Sequence, residues 1–159
     1  MYYTHAEGIC DNHLETSGKY TENDACLICK THQENSENKK ETNYKIPESV
    51  NSIKNHAFLQ CNNLTSITIP KSVTTIGDNA FQFCANLNSI TIGKGVNYIS
   101  NVAFANCENL AEVTFLGNAP KIGGEIFYES TPTIYRKPEA KGWGDTFGGR
   151  PVKLISEKL

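Results

Sequence analysis

The sequence predicts a mainly β solenoid of about four 23-residue coils, with short 3₁₀ or helical turns at its bends and a C-terminal cap. Three observations predict it. One opening recurs at a fixed interval, as Ile46-Pro47-Glu48-Ser49-Val50, Ile69-Pro70-Lys71-Ser72-Val73, Ile92-Gly93-Lys94-Gly95-Val96 and, degenerately, Phe115-Leu116-Gly117-Asn118-Ala119. Apolar residues fill matching slots behind it: Val50, Val73, Val96 and Ala119; Ile53, Ile76, Ile99 and Ile122; Phe58, Phe81, Phe104 and Phe127; Leu64, Leu87 and Leu110. This period is neither that of a helix nor that of a strand. It marks stacked units, each burying its apolar face only against its neighbours.

Composition divides the chain before the array starts. Residues 1–45 hold eight acidic and five basic side chains, few aliphatics and no period, whereas the rest carries nine acidic and ten basic ones. We therefore read 1–40 as a polar segment containing Cys and His, 41–137 as the solenoid and 138–159 as the cap. Neither part has the basic excess that a phosphate backbone demands, so nucleic acid is not an expected partner. No apolar run reaches the length of a membrane span, so no membrane insertion is expected. The start, Met1-Tyr2-Tyr3-Thr4-His5-Ala6-Glu7, has no basic n-region and no apolar h-region, so no signal peptide is expected.

Along the array each element follows from its residues. Glu41 to Ile46 take the strand slot before the first full unit, with Glu41 where leucine is expected. Leu64-Thr65-Ser66-Ile67-Thr68-Ile69, Leu87-Asn88-Ser89-Ile90-Thr91-Ile92 and Leu110-Ala111-Glu112-Val113-Thr114-Phe115 end in apolar–polar alternation rich in β-branched residues, the pattern of a half-buried strand. Pro70 or Gly93 stops the strand, and a second extended stretch follows, such as Val73-Thr74-Thr75-Ile76. The segment from Gly77 to Cys84 then bends through one helical or 3₁₀ turn, too short for an α-helix. Stacking such coils places equivalent strands about 4.8 Å apart in parallel sheets. At the far end Ser130 replaces the repeated cysteine and Thr133-Ile134-Tyr135 takes the strand slot. The period breaks at Lys141-Gly142-Trp143-Gly144, where Trp143 and Phe147 are expected to cover the last coil.

The unit Ile-Pro-x-Ser-Val-x-x-Ile-x-x-x-Ala-Phe-x-x-Cys-x-Asn-Leu, spanning Ile69 to Leu87, resembles the BspA-like leucine-rich repeats of bacterial and protist surface proteins. The resemblance covers roughly residues 41–137, and the Gly-Trp segment is similar to ends seen in that family. It implies a leucine-rich-repeat solenoid, often exported to the cell surface or secreted, and often engaged in adhesion or host-protein binding.

Two cysteine sets invite chemistry. Cys61, Cys84 and Cys107 recur in one slot, and stacking sets their side chains parallel rather than face to face. A buried column of free thiols is therefore expected, structural like the phenylalanines, rather than a metal or redox site. The column Asn63, Asn86 and Asn109 reads as structural too, its amides serving backbone groups at the bend. In the N-terminal segment, Cys10 and His13 precede Cys26 and Cys29, a C-x₂-H…C-x₂-C spacing suited to tetrahedral zinc, with His5 and His32 as spare candidates. Three readings stand for that set: a structural zinc, a disulfide, or no ordered site. Four protein ligands would close the coordination shell, so such a zinc would be structural, and no cofactor is otherwise required.

Catalytic motifs are missing. The sequence has no Gly-x-Ser-x-Gly, no His-Glu-x-x-His and no phosphate-binding loop, and His56 shares its slot with Asn79 and Val102, an exposed turn position. An enzyme is not expected. The surface is the better place to look. With Ile67 and Ile69 pointing inward, Ser66, Ser89 and Glu112 form one outward ladder behind Asn43, and Thr68, Thr91 and Thr114 a second behind Lys45. Ser52, Thr75 and Tyr98 add a column from the second stretch. Such a polar, weakly charged face fits a protein-binding or adhesion module with a protein partner. The rival reading is a structural spacer within a larger surface protein, with no ligand of its own.

Overall fold

The computed structural model describes residues 42–158 and the short strand Leu14–Thr16. Every coil crosses two sheets. One contains β2 (Thr42–Lys45), β4 (Leu64–Ile69), β6 (Ser89–Ile92), β8 (Glu112–Phe115) and β10 (Thr133–Arg136), extended by β12 (Arg150–Leu154) and β11 (Thr146–Phe147). The other runs β1 (Leu14–Thr16), β3 (Val50–Ile53), β5 (Thr75–Ile76), β7 (Tyr98–Ile99), β9 (Lys121–Ile122). Parallel pairing sets identical slots side by side: Ile67 against Ile90, Ile90 against Val113, Val113 against Ile134. Among the described residues there is no α-helix, only a 3₁₀ turn at Ile155–Glu157. This is the β solenoid expected, and its apolar slots form one continuous core from Ile46 to Phe147.

The third side of each coil carries the phenylalanines. Phe58, Phe81, Phe104 and Phe127 stack with ring centroids 4.9, 5.4 and 5.6 Å apart and interplanar angles of 4°, 14° and 20°. The bend holding them is not a continuous 3₁₀ turn, and the backbone shows why. Two residues per coil lie in the left-handed region: His56 and Gln60, Asn79 and Phe83, Val102 and Asn106, Glu125 and Glu129. Alternate amides consequently face opposite ways. Ala57, Leu59 and Cys61 donate to the carbonyls three residues back, while His56, Phe58 and Gln60 donate to Asp78, Ala80 and Gln82 of the next coil. A helical turn would spend all of these donors within one coil. The left-handed residues turn half of them along the stack, which couples neighbouring coils.

The two ends of the array differ. β1 comes from the segment that composition set apart, yet it pairs antiparallel with β3, Leu14 opposite Ile53 and Thr16 opposite Val50. At the other end Trp143, Phe147 and Phe115 close on one another at 4.9–5.3 Å, and the Trp143 indole N–H donates to the Gly117 carbonyl at 3.2 Å. The aromatic cap covers the side that carries Phe115. It does not extend the five-stranded sheet, which stops at β9. Ile122 is accordingly 37% exposed, although Ile53, Ile76 and Ile99 in the same slot are buried.

Candidate recognition face

Alternation along the strands of the seven-stranded sheet sends Ile67, Ile90, Val113 and Ile134 inward and leaves two polar columns outside. Register makes them continuous. Asn43, Ser66, Ser89, Glu112 and Thr133 form one; Lys45, Thr68, Thr91, Thr114, Tyr135 and Lys153 form the other. Ser66, Thr68, Ser89, Thr91, Glu112 and Thr114 are all half-buried by their ladder neighbours. The Ser66 hydroxyl donates to the Asn43 amide oxygen at 2.6 Å. Glu112 is the one acid in the two columns, and the Lys158 ammonium bonds to its carboxylate at 2.5 Å. The same ammonium stands 5.6 Å from the centre of the Tyr135 ring. Sequence spacing missed Lys158, because the tail reaches Glu112 by folding back and not by the 23-residue period.

Thr75 and Tyr98 do not join this face. They are neighbours in the five-stranded sheet, in a column with Ser52 and Lys121. The sequence-predicted surface is therefore two surfaces, one on each sheet.

The cysteine slot divides. Cys84 and Cys107 are buried free thiols, but Cys61, equally deep in the core, is disulfide-bonded, so the expected column of free thiols holds at two of its three positions. Each free thiol has a specific partner. The Cys84 S–H donates to the Phe58 carbonyl at 3.0 Å and that of Cys107 to the Phe81 carbonyl at 3.1 Å. Ser130 repeats the contact with its hydroxyl, 2.7 Å from the Phe104 carbonyl, and accepts the Cys107 N–H at 2.8 Å. This explains the exchange of cysteine for serine at the last position: like Cys84 and Cys107, Ser130 is a small side chain with one donor for the phenylalanine carbonyl of the preceding coil. Burial pushes the Cys84 thiol far up and that of Cys107 up to about 11, so neither ionises readily nor offers a nucleophile.

The asparagines also work between coils. Asn86 and Asn109 donate their side-chain amides to the Asn62 and Ala85 carbonyls of the preceding coil, at 2.6 and 2.7 Å. A second row escaped the sequence reading, although its spacing of 23 was visible. Asn55 Oδ1 accepts the Asp78 N–H, Asp78 Oδ1 the Asn101 N–H, and Asn101 Oδ1 the Gly124 N–H, at 2.8–3.0 Å. His56 is exposed at a left-handed turn position. Cys10, His13, Cys26 and Cys29, with His5 and His32, lie outside the described residues. Among the described residues no group of three or more His, Cys, Asp or Glu is placed to hold a metal, and no helix is long and apolar enough to cross a membrane.

The family model of the BspA type leucine rich repeat region matches residues 33–137 in six copies. The chain belongs to the BspA-type leucine-rich repeat family. Solved structures agree with this solenoid. A leucine-rich repeat protein from Bacteroides capillosus is 28% identical, with a TM-score of 0.53 over 60% of this chain and 76% of its own. One from Bacteroides ovatus is also 28% identical, with a TM-score of 0.52 over 70% of this chain but only 29% of its own. A T. pallidum leucine-rich repeat protein, 23% identical with a TM-score of 0.50 over 62% of this chain and 59% of its own, shares the fold. No curated relative matches the chain. As a BspA-type repeat, the chain has the architecture of a repeat or protein-interaction module.

Proposed function

We propose that this chain is a non-enzymatic protein-binding or adhesion module that meets its partner with the outer face of the seven-stranded sheet. The observation that carries the reading is the pair of in-register columns of Ser66, Ser89 and Glu112 and of Thr68, Thr91 and Thr114. Apart from Glu112 they form a surface of small hydroxyls, with little side-chain entropy to lose on binding. Leucine-rich repeat proteins as a class are generally non-enzymatic and compatible with protein interaction, which supports the same reading. The test is capture of a protein partner by the wild-type chain and by Thr68→Lys/Thr91→Lys. Both substituted side chains project from the sheet but stand in line with Lys45, so the melting temperature should fall by several degrees, and circular dichroism at the capture temperature checks that the variant is folded. Loss of a partner that the wild type captures supports the face. Undiminished capture by the variant sinks it, and capture of nothing by the wild type favours the spacer reading.

A further inference from the structure

At its C-terminal end the polar face is already occupied by a piece of the same chain. The 3₁₀ turn Ile155–Glu157, held by the Leu154 N–H donating to Glu157 Oε2 at 3.1 Å, turns the tail back over the sheet. Lys158 then sits between a carboxylate and an aromatic ring, Glu112 two strands away on β8 and Tyr135 on the intervening β10. A carboxylate beside an aromatic face is the chemistry that selects an ammonium group. We infer that Glu112 and Tyr135 form a lysine subsite of the recognition face, filled in cis by Lys158 and open to a lysine of an extended partner segment when the tail lifts. This rests on the reading that a protein partner meets this face.

Charge placement narrows the partner. Lys45 and Lys153 close the two ends of the Thr68–Thr91–Thr114 column, so the face repels a polybasic segment. A single lysine flanked by neutral or acidic residues fits, and the tail, Ser156-Glu157-Lys158, has that composition. The cis contact is easily displaced. The Lys158 and Glu112 side chains remain 39% and 28% exposed, and an exposed ion pair plus a cation–π contact favour the closed form by only about tenfold together. A trans ligand therefore binds about tenfold more weakly than it would to an open site.

The probe is an acetylated and amidated pentapeptide of the tail sequence, Ile-Ser-Glu-Lys-Leu, titrated into the full chain while the backbone amide signals of Glu112, Thr114 and Tyr135 are followed by NMR. Lys158→Ala should bind it about tenfold more tightly than the wild type, and adding Glu112→Gln should abolish the gain. A peptide with norleucine in place of lysine should not bind, a control that needs no change in the protein. Equal affinity for wild type and Lys158→Ala, or equal binding of the norleucine peptide, overturns the subsite. The outcomes separate the two proposals. Partner capture that depends on Thr68 and Thr91 with no lysine selectivity leaves the face and removes the subsite; lysine-selective binding at Glu112 without any partner capture does the reverse.

Discussion

Coupling between coils runs through the phenylalanine stack, and a double-mutant cycle can read it. Phe81 has stacked neighbours on both sides, Phe58 at 4.9 Å and Phe104 at 5.4 Å, whereas Phe58 and Phe104 stand about 10 Å apart with Phe81 between them. Replacing phenylalanine by leucine keeps the slot apolar and removes ring–ring attraction, worth about 1 kcal/mol per pair beyond buried area. The Phe81→Leu/Phe104→Leu cycle should therefore show a coupling energy of about 1 kcal/mol. The Phe58→Leu/Phe104→Leu cycle, with no direct contact, should fall below about 0.5 kcal/mol. In single variants Phe81→Leu forfeits two stacks and Phe127→Leu one. For an array of this size, about 1 kcal/mol corresponds to about 4 °C, so Phe81→Leu should melt about 4 °C below Phe127→Leu. Equilibrium urea unfolding followed by circular dichroism supplies the free energies. Equal coupling in both cycles, or none in the adjacent one, would show that the stack is only filler and that the sheets alone join the coils.

Other expectations follow from the uneven ends and the strained turns. Ile99→Ala should cost about 2–5 kcal/mol and Ile122→Ala under about 1, by urea unfolding, because the first side chain is fully buried and the second is 37% exposed. Val102 is a β-branched residue held at φ 49°, in a slot that Asn79 occupies at φ 56°. Val102→Asn should relieve about 1 kcal/mol of left-handed strain and raise the melting temperature by a few degrees. The raised Cys107 thiol sets the sign of an alkaline effect. A folded pKa above the unfolded one leaves stability intact below about pH 9 and removes it as pH climbs through about 11. Up to about 3 kcal/mol is at stake from that group alone, so the melting temperature should fall between pH 9 and 11, and Cys107→Ser, which keeps the donor as Ser130 does, should blunt the fall. For Cys10, His13, Cys26 and Cys29, metal analysis with non-reducing peptide mapping separates the readings: one zinc per chain, with chelation lowering stability, supports the four-ligand site, whereas metal-free protein, or a disulfide joining Cys61 to one of the three cysteines, excludes it.

Much of the solenoid was legible because its physics repeats. A residue that faces the core once faces it in every coil, so the Ile76, Phe81 and Leu87 slots announced themselves by recurrence. The pairing of Ser66 with Ser89 and of Thr68 with Thr91 followed from the same register. What recurrence hid were the backbone states. The slot shared by His56, Asn79, Val102 and Glu125 has no common chemistry, because it is defined by a positive φ and an amide turned to the next coil rather than by a side chain. The cysteine slot hid its reason too: thiol and hydroxyl look unlike in sequence, yet both supply one donor to a phenylalanine carbonyl.

By itself the sequence determined the period, the inward slots and the polar columns, because those depend on which side chains recur. Only the tertiary structure decided which sheet each polar column joins and what covers the last coil. It put Thr75 and Tyr98 on a different sheet from Thr68 and Thr91, left Ile122 uncovered, and laid Lys158 across Glu112 and Tyr135. The last two outcomes arise at the C-terminal edge, where a coil has lost one neighbour and non-repeating chain must take its place. A periodic pattern specifies the contacts of a coil with another like itself, and it is silent about the contacts of the last one.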